Sequence, residues 1–398
     1  MKLTKRVSLI KPSPTLALEA RAKAMKKEGI DVISFSAGEP DFDTPDGIKD
    51  AAISAIKEGF TKYTASSGII ELRSAVADKL AKMHGLSYKA EDILISCGAK
   101  HSLYNLSMAI FEEGDEVIIP SPYWVTYPEQ ILLCGAKPVI AETSEKDGFL
   151  LKPEMLESII TDRTRGLILN TPSNPVGSAY DRQLLEKIAE IAVSHKIYVI
   201  SDETYEGIVY DGFKQTSIAS LNDDIFRLTI VVNGVSKSYA MTGWRIGYAA
   251  GPRYIIEAMG NIQSQSTSNP TSIAQKAALE ALSGKYDDFI SMMVERFDKR
   301  RHYIVNRLRQ IPGVSCFMPV GSFYVFPNMS GILGRRFNDI ALDSSASLAE
   351  YFLNEAKVAV VPGDAFGAPG FMRLSYATSM DNIEKGLDRL ESAIKQLK

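Results

Sequence analysis

Two cations in an otherwise uncharged stretch, VNGVSKSYAMTGWRIGY, are the first candidates for chemistry. Lys237 and Arg245 stand there among small, apolar and aromatic residues, without the mixed charges of a solvated loop. A lysine amine can attack an electrophilic carbon, and an arginine can bind an anion through two parallel hydrogen bonds. The stretch therefore predicts a site for a ligand that carries an electrophilic or an anionic group.

Three apolar runs that we predict to be strands are each followed at once by polar side chains. In open α/β sheets, ligands bind beyond the carboxyl ends of the parallel strands. Taken singly, these side chains also fit a turn, a helix cap or a surface position, but their convergence on one edge favours a functional site. The predicted strands and the polar residues that follow them are Gly166–Asn170 with Asn174, Ile197–Ser201 with Asp202 and Tyr205, and Leu228–Asn233 with Lys237.

The sheet that positions these groups is predicted from further patterns. The stretch Asp181–Lys196 is amphipathic, with Leu185, Ile188 and Ala192 on one face and Asp181 as a helix N-cap. Strand, helix and strand at this spacing form a βαβ unit, so the sheet is predicted to be mainly parallel and covered by helices. Additional predicted strands are Asp92–Ser96, Asp115–Pro120 and Lys137–Glu142.

The last third of the chain has a different pattern. The segments GSFYVFP, VAVVPG and FMRLSYA predict a smaller sheet, closed by a helix over Asp381–Gln396. At 398 residues, two domains are expected. We place a large domain at residues 46–290, and an N-terminal arm with a small domain at residues 1–45 and 291–398.

Composition excludes several classes of protein. The 45 basic and 48 acidic residues give a formal charge of −3, with no overall attraction to nucleic acid or to an anionic membrane. The three cysteines, Cys97, Cys134 and Cys316, form no CxxC pair, so neither a disulfide framework nor a zinc site is expected. The N-terminus has no apolar signal segment and no run has the length of a membrane span, so a cytoplasmic protein is predicted.

The segment LISCGAKHSLYNL combines a strand, a glycine turn and a helix start. The first-turn N–H groups around Gly98, Ala99 and Lys100 could bind a phosphate, although a simple tight turn fits equally well. No GxGxxG or GxxxxGK[ST] motif follows any predicted strand, which disfavours dinucleotides and nucleoside triphosphates.

An amine, an acid, a phenol and a phosphate site together suit pyridoxal phosphate. Lys237 would form a Schiff base with its aldehyde, and Arg245 would pair with its phosphate. A carboxylate would keep the ring nitrogen protonated, which makes the ring an electron sink.

The motifs NTPSNPVG, SDETYE, SKSYAMTGWRIGY and RLSYA resemble those of class I aminotransferases of fold type I. The similarity runs from Ser34 to the C-terminal helix and is finest with the bacterial aspartate and aspartate/prephenate aminotransferases. It implies an α/β fold, with a mostly parallel seven-stranded sheet in the large domain and a smaller α+β domain. It also implies ping-pong transfer of the amino group of L-aspartate to 2-oxoglutarate through pyridoxal 5'-phosphate, with prephenate as a further candidate acceptor.

The resemblance assigns residues to these tasks. Lys237 would be the catalytic residue that moves the proton, Asp202 would pair with the ring nitrogen, and Arg373 would bind the substrate α-carboxylate. Ser121–Pro122 and Asn174–Pro175 resemble the cis peptide bonds of the family. The cofactor-binding set implied is Gly98, Ala99, Lys100, Trp124, Asn174, Asp202, Tyr205, Ser236, Lys237, Arg245 and, across a homodimer interface, Tyr63; the substrate-binding set is Gly38, Trp124, Asn174, Arg373, Lys100 and Thr15.

The resemblance also bears on substrate choice. One branch of the family binds the distal carboxylate with an arginine of the partner subunit, but the matching stretch here, QSQSTSNP, has Ser264 near that place and no arginine. The branch resembled most uses a lysine and a threonine instead, which correspond to Lys100 and Thr15.

One alternative remains open and a second is disfavoured. Aromatic, alanine or kynurenine aminotransferases and β-lyases of the same fold share the cofactor residues, so the sequence separates them poorly. A pyridoxal-binding transcription regulator would need a DNA-binding module, and the residues before Ser34 are too few for one.

Overall fold

A seven-stranded sheet forms the centre of the computed structural model, which describes residues 3–12 and 14–398. Its strand order is β2-β8-β7-β6-β5-β3-β4. The strands along the chain are β1 Ile33–Ser34, β2 Ile93–Ser96, β3 Glu116–Ser121, β4 Lys137–Glu142, β5 Thr164–Asn170, β6 Tyr198–Asp202, β7 Thr229–Gly234, β8 Gly247–Ala250, β9 Tyr324–Val325, β10 Arg336–Phe337, β11 Ile340–Ala341, β12 Val358–Ala359, β13 Val361–Pro362 and β14 Met372–Ser375.

The prediction of a mostly parallel seven-stranded sheet is confirmed. All six strands predicted from apolar runs belong to this sheet, with ends displaced by two residues at most, and β3 to β7 pair in parallel. The seventh strand, β8, is antiparallel to both of its neighbours, β2 and β7, and had not been predicted. It lies at the end of the stretch that holds Lys237 and Arg245, so it fixes one end of that stretch to the sheet.

Helices surround the sheet. The predicted amphipathic helix is confirmed as α8, and Asp181 caps it by accepting a 2.8 Å hydrogen bond from the Leu184 N–H. The helices are α1 Lys5–Ser8, α2 Pro14–Lys27, α3 Asp46–Lys57, α4 Ile70–His84, α5 Ala99–Ile110, α6 Thr126–Leu133, α7 Pro153–Ile159, α8 Arg182–Ser194, α9 Asp223–Phe226, α10 Arg253–Ser266, α11 Ser272–Ala281, α12 Asp287–Arg309, α13 Ser345–Tyr351 and α14 Met380–Lys395.

The C-terminal third forms its own sheet and core. The strands β13, β14 and β9 pair in antiparallel fashion, and α12 and α14 pack on them through buried residues such as Phe297, Leu308, Leu374 and Leu387. The predicted small sheet and closing helix are therefore confirmed. The predicted domain boundary near residue 290 lies in the first turn of α12, and the division into domains stays a prediction.

The order of the strands decides where polar groups can meet. β5, β6 and β7 are neighbours and parallel, so the residues after Asn170, Asp202 and Gly234 emerge at the same edge of the sheet. In these three strands only Arg165 is exposed, Asn170 and Tyr198 are half-buried and the other residues are buried, as expected for parallel strands covered on both faces. Among the described residues, no helix is long and apolar enough to cross a membrane.

Candidate active site

A cavity of about 500 Å³ opens at the carboxyl edge of the sheet. Of the residues predicted for the site, Gly98 and Tyr63 do not line it, and all the others do. The structure therefore brings side chains from several sequence motifs together at one edge of the sheet, while their roles in binding and catalysis stay predictions. The predicted residues that line the cavity are Thr15, Gly38, Ala99, Lys100, Trp124, Asn174, Asp202, Tyr205, Ser236, Lys237, Arg245 and Arg373.

Lys237 follows β7 and places its amine inside the cavity. Its Nζ donates a 2.6 Å hydrogen bond to the carbonyl oxygen of Gly38 and lies 5.7 Å from the centre of the Tyr205 ring. Burial lowers the pKa of Lys237 to about 8, although the charge of Glu39 opposes that shift. A far larger fraction of this amine is therefore uncharged near neutral pH than for an ordinary lysine.

Asp202 is the last residue of β6 and is almost fully buried. Its Oδ2 accepts a 2.6 Å hydrogen bond from the Tyr127 hydroxyl, and its Oδ1 accepts from the hydroxyl of Thr204 at 2.5 Å and from the Thr204 N–H at 3.2 Å. Burial raises the pKa of this carboxyl, while the hydrogen bonds from Thr204 and Tyr127 oppose the rise. The donors fix the orientation of a carboxylate that has little contact with solvent.

Arg373 lies on β14 of the small sheet and is buried. Its cationic guanidinium group lines the cavity from that side. Nη1 donates to Asn174 Oδ1 at 3.0 Å and Nη2 donates to the carbonyl oxygen of Ser36 at 2.7 Å. The guanidinium also lies over the Tyr324 ring at 4.6 Å, and its Nε has no hydrogen-bond partner within residues 3–12 and 14–398. A buried cation whose hydrogen-bond acceptors are neutral calls for an anionic ligand.

Tyr205 and Tyr324 form a buried pair between Lys237 and Arg373. Their hydroxyl oxygens are 2.9 Å apart, and both tyrosines line the cavity. Burial raises the pKa of the Tyr205 hydroxyl well above its usual value, so the phenol is a proton-bearing donor at every pH of interest.

The anion end of the cavity lies at the start of α5. Ala99 and Lys100 are its first two residues, where backbone N–H groups have no acceptor within the helix. Arg245 stands beside this turn, donating to the carbonyl oxygens of Thr242 at 3.0 Å and Cys97 at 3.3 Å. The N-terminus of α5 and the guanidinium group of Arg245 together form a site that suits a phosphate-like group.

The predicted contribution of Gly98 needs a correction. Its N–H does not point to a ligand, because it donates a 2.7 Å hydrogen bond to the Ser96 carbonyl oxygen. Glycine is required there for another reason: its φ is 91°, and a Cβ atom would lie 2.5 Å from an Arg245 nitrogen. Gly98 therefore allows Arg245 to approach the helix start.

Lys100 and Thr15 reach the same cavity from different elements. The Lys100 ammonium lies 4.8 Å from the centre of the Trp124 ring, and burial, with the nearby charge of Arg245, lowers its pKa. Thr15 comes from α2, near the start of the chain. Tyr63 behaves differently, because its side chain is 90% exposed in the loop between α3 and α4.

Several residues of the site were missed by the sequence prediction. Tyr127 and Thr204 lie within the segments SPYWVTYP and SDETYE, so their hydroxyl groups gave a signal that could have been used. Ser36 contributes only a backbone carbonyl, and Tyr324 lies in an apolar strand, so neither has a recognisable signature. Ser121–Pro122 and Asn174–Pro175 are cis as predicted, and Thr171–Pro172 is cis as well.

A half-buried lysine, a buried carboxylate and an anion site lie together at the carboxyl edge of a mostly parallel α/β sheet. This arrangement is typical of enzymes that work on a carbonyl ligand through an amine. The chain matches the family model for class I and II aminotransferases over residues 30–390. It belongs to this family.

Known relatives cover the whole chain. It is 48% identical to a probable aspartate/prephenate aminotransferase of Aquifex aeolicus, with 99% of each chain covered, and 47% identical to an aspartate aminotransferase of Bacillus subtilis, with 100% covered. Among solved structures, an aspartate aminotransferase from Rhizobium meliloti superimposes with a TM-score of 0.96 at 45% identity and full coverage of both chains. An aspartate aminotransferase from Thermus thermophilus with maleate gives 0.93 at 42% identity, covering 99% of this chain and 100% of that one. These comparisons confirm the predicted family and fold.

Proposed function

We propose that this enzyme is a cytoplasmic, homodimeric aspartate aminotransferase that uses pyridoxal 5'-phosphate. It transfers the amino group of L-aspartate to 2-oxoglutarate, which yields oxaloacetate and L-glutamate, and prephenate is a second candidate acceptor. The observation that carries the proposal is the cavity itself, which brings the half-buried Lys237 and the buried Asp202 carboxylate together with four further cations, Lys23, Lys100, Arg245 and Arg373. The names of the full-length relatives support the same activity.

The cavity fits pyridoxal phosphate at each of its polar groups. Lys237 offers an amine to the aldehyde, Asp202 a carboxylate to the ring nitrogen, and Tyr205 a hydroxyl to the phenolate oxygen. Ala99, with the start of α5, and Arg245 suit the phosphate, and the indole of Trp124 can stack on the ring. When bound, the cofactor supplies an aldehyde that accepts the amino group and a ring that delocalises the electrons of the broken C–H bond.

The chain's own residues then act on protons and charge. The lowered pKa of Lys237 lets its amine take a proton and return it near neutral pH. The donors from Tyr127 and Thr204 favour the ionised form of Asp202 against the effect of burial, and a carboxylate there would raise the pKa of a ring nitrogen that it pairs with. Because Arg373 is already oriented by Asn174 and Ser36, a substrate α-carboxylate meets a fixed donor.

A steady-state panel tests the proposal. Aspartate, alanine, phenylalanine and kynurenine serve as donors, each with 2-oxoglutarate, oxaloacetate and prephenate as acceptors, and β-elimination is followed in parallel. Aspartate with 2-oxoglutarate is expected to give the highest kcat/KM. A higher value for an aromatic or neutral donor, or pyruvate release by elimination, would assign the enzyme to one of the alternative activities.

The lowered pKa of Lys237 gives a pH prediction. Only the uncharged amine attacks an aldehyde, so capture of pyridoxal phosphate by the apoenzyme should accelerate as pH rises and level off above the pKa of about 8. The second-order rate constant, followed by absorbance, is expected to increase about tenfold from pH 6 to pH 7. A rate that keeps rising to pH 10 would show that Lys237 has the pKa of an ordinary lysine.

A second prediction concerns the distal carboxylate of the substrate. Lys100 lines the cavity, although the residue is exposed, and it has no carboxylate partner among the described ion pairs. Thr15 lines the same space. A charge-assisted hydrogen bond contributes roughly 1.5–3 kcal/mol, or about tenfold to a hundredfold in affinity. Lys100→Ala should lower kcat/KM for aspartate by that factor and leave alanine, which has no second carboxylate, nearly unchanged.

The exposed Lys187 on α8 provides the control, because Lys187→Ala should change neither substrate. If aspartate and alanine lose activity equally in Lys100→Ala, then Lys100 serves the cofactor phosphate. The dicarboxylate assignment would then lose its main support.

A third prediction tests shared active sites. Tyr63 is almost fully exposed and does not line the cavity of its own protomer, which suits a side chain that reaches a partner's phosphate. Homodimers of Tyr63→Ala and of Lys237→Ala should each be impaired at limiting cofactor. A refolded equimolar mixture should recover about a quarter of wild-type activity, since half the dimers then hold one intact site of two.

A doubly substituted chain, Tyr63→Ala with Lys237→Ala, is the control, because mixing it with Tyr63→Ala creates no intact site. Equal activity in both mixtures, or a fully active monomer on sedimentation, would contradict shared sites.

A further inference from the structure

Four ionisable side chains form a buried charge cluster next to the cavity: Lys79 and His84 on α4, and Glu203 and Glu206 in the turn after β6. Their side chains are 12%, 3%, 0% and 1% exposed. None of the four is among the described residues that line the cavity, so the proposed chemistry does not use them directly.

The contacts within the charge cluster pair each glutamate with a cation. Lys79 Nζ donates to Glu206 Oε1 and, at 2.9 Å, to the hydroxyl of Tyr248 on β8. His84 Nε2 lies 2.9 Å from Glu206 Oε2 and 3.8 Å from Glu203 Oε2, an atom that accepts no hydrogen bond from the described part of the chain. Two cations thus face two anions when the histidine is protonated.

Protonation of His84 agrees with its surroundings. Burial alone would lower its pKa and Lys79 acts in the same direction, but the hydrogen bond with Glu206 and the charges of Glu203 and Glu206 outweigh both and raise the pKa. Three of these side chains could ligate a metal by distance, since their ligand atoms lie within 4.8 Å of one another. The ammonium of Lys79 already balances Glu206, so the geometry favours an internal ion cluster.

The two glutamates alternate with residues of the cavity. Asp202, Thr204 and Tyr205 line the cavity, whereas Glu203 and Glu206 turn towards α4. The turn is closed by a 2.9 Å backbone hydrogen bond from the Glu206 N–H to the Glu203 carbonyl oxygen. A displacement of either glutamate therefore moves the backbone that carries the carboxylate and the phenol of the site.

Stability gives little reason to bury these charges. Removing an ion from water is costly, and apolar replacements of a whole buried ion pair are often neutral or stabilising. Networks of oriented polar contacts can, however, rigidify the chain segments that they join.

We propose that the charge cluster positions the turn of residues 202–206, so that Lys79 and Glu206 are positioning residues for Asp202 and Tyr205. This inference rests on the proposed function of that turn. Through Tyr248 the same lysine also joins the turn to β8, the strand that begins two residues after Arg245. The cluster thus ties together the chain segments that bear the ring-binding and the phosphate-binding residues.

The paired variant Lys79→Met/Glu206→Gln tests the proposal. It removes one charge of each sign, and the glutamine oxygen can still accept from His84. Misplacement of reacting groups far from the substitution can cost up to about a hundredfold in rate, so kcat for aspartate should fall about tenfold to a hundredfold. KM for aspartate should change by less than about threefold, because Arg373 and Lys100 lie on other elements.

Amide hydrogen exchange of the apoenzyme gives a readout that is independent of activity. Exchange at Ile208, whose N–H group donates to the Tyr205 carbonyl oxygen within the turn, should become at least about tenfold faster in the paired variant. Glu116→Gln is the matched control, because Glu116 is also a buried carboxylate with ion-pair partners, Lys137 and Arg163. It is the first residue of β3 and so lies at the edge of the sheet away from the turn. The control substitution should leave both kcat and the exchange of the turn unchanged.

Wild-type kcat and wild-type exchange of the turn in the paired variant would overturn the proposal. If the paired variant does not fold, the same measurements are made on His84→Gln. Unchanged amide exchange of the turn in that variant would also overturn the proposal. If the proposed function is wrong, the wild-type enzyme will not transaminate aspartate. Amide exchange in the paired variant would still report whether the charge cluster holds the turn.

Discussion

Replacing Lys237 by alanine is expected to lower kcat for aspartate transamination by up to about 10⁴-fold, because a positioned proton-transfer group contributes up to about that factor. Lys237 is half-buried, burial lowers its pKa to about 8, and its amine lies in the cavity beside Tyr205 and Gly38. Cofactor binding should survive in part, since Arg245 and the start of α5 keep the phosphate site.

Peptide mapping after borohydride reduction tests the same assignment. Pyridoxal phosphate should be fixed to the wild-type peptide that contains Lys237 and to no peptide of Lys237→Ala. Lys23→Ala is the control, because Lys23 also lines the cavity but is paired with Glu19 at 2.6 Å. Labelling at another lysine, or near-normal turnover in Lys237→Ala, would contradict the assignment of Lys237 as the catalytic lysine.

The second large effect is expected for Asp202→Asn, which keeps the shape of the side chain and removes its charge. A charge partner within hydrogen-bonding distance shifts a pKa by about one to three units, so the half-reaction with aspartate should slow by up to about 10³-fold. The fold should survive, because the amide side chain of the variant retains an oxygen that can accept from Thr204. Stopped-flow absorbance of the half-reaction measures the loss, and circular dichroism monitors the fold.

Asp202→Glu and Thr204→Val separate charge from placement. The glutamate keeps the charge but moves it, and should be less impaired than the asparagine. Thr204→Val removes one donor to the carboxylate and should have a still smaller effect. A fully active Asp202→Asn enzyme would mean that the ring nitrogen need not be protonated.

Much of the fold followed from sequence patterns. The strands β3, β5, β6 and β7 are largely buried on both faces, so they appear as continuous apolar runs that are easily located. The strand β8 was missed because it consists of four residues, Gly247–Ala250, three of which are glycine or alanine. Gly247 shows why they are small: a Cβ atom there would lie 2.1 Å from the Ala99 nitrogen, so the strand passes directly against the start of α5.

The functional side chains of the site could also be identified from the sequence, but the contacts that orient them could not. Lysine, aspartate, tyrosine and arginine in family motifs indicated a cofactor with an aldehyde and a phosphate. The contacts that orient them join distant positions, as with Tyr127 and Asp202, 75 residues apart, or Ser36 and Arg373, 337 residues apart. No local pattern encodes such pairs.

The sequence by itself therefore determined the class of fold, the family and the residue types that meet at the edge of the sheet. Periodicity and motifs suffice for these, because they depend on short-range order along the chain. Only the tertiary structure decided that Lys237 has a lowered pKa, that the Gly98 N–H is already bonded, and that Glu203 and Glu206 face away from the cavity. Burial and distance set these properties, and both arise from packing between segments that are far apart in the chain.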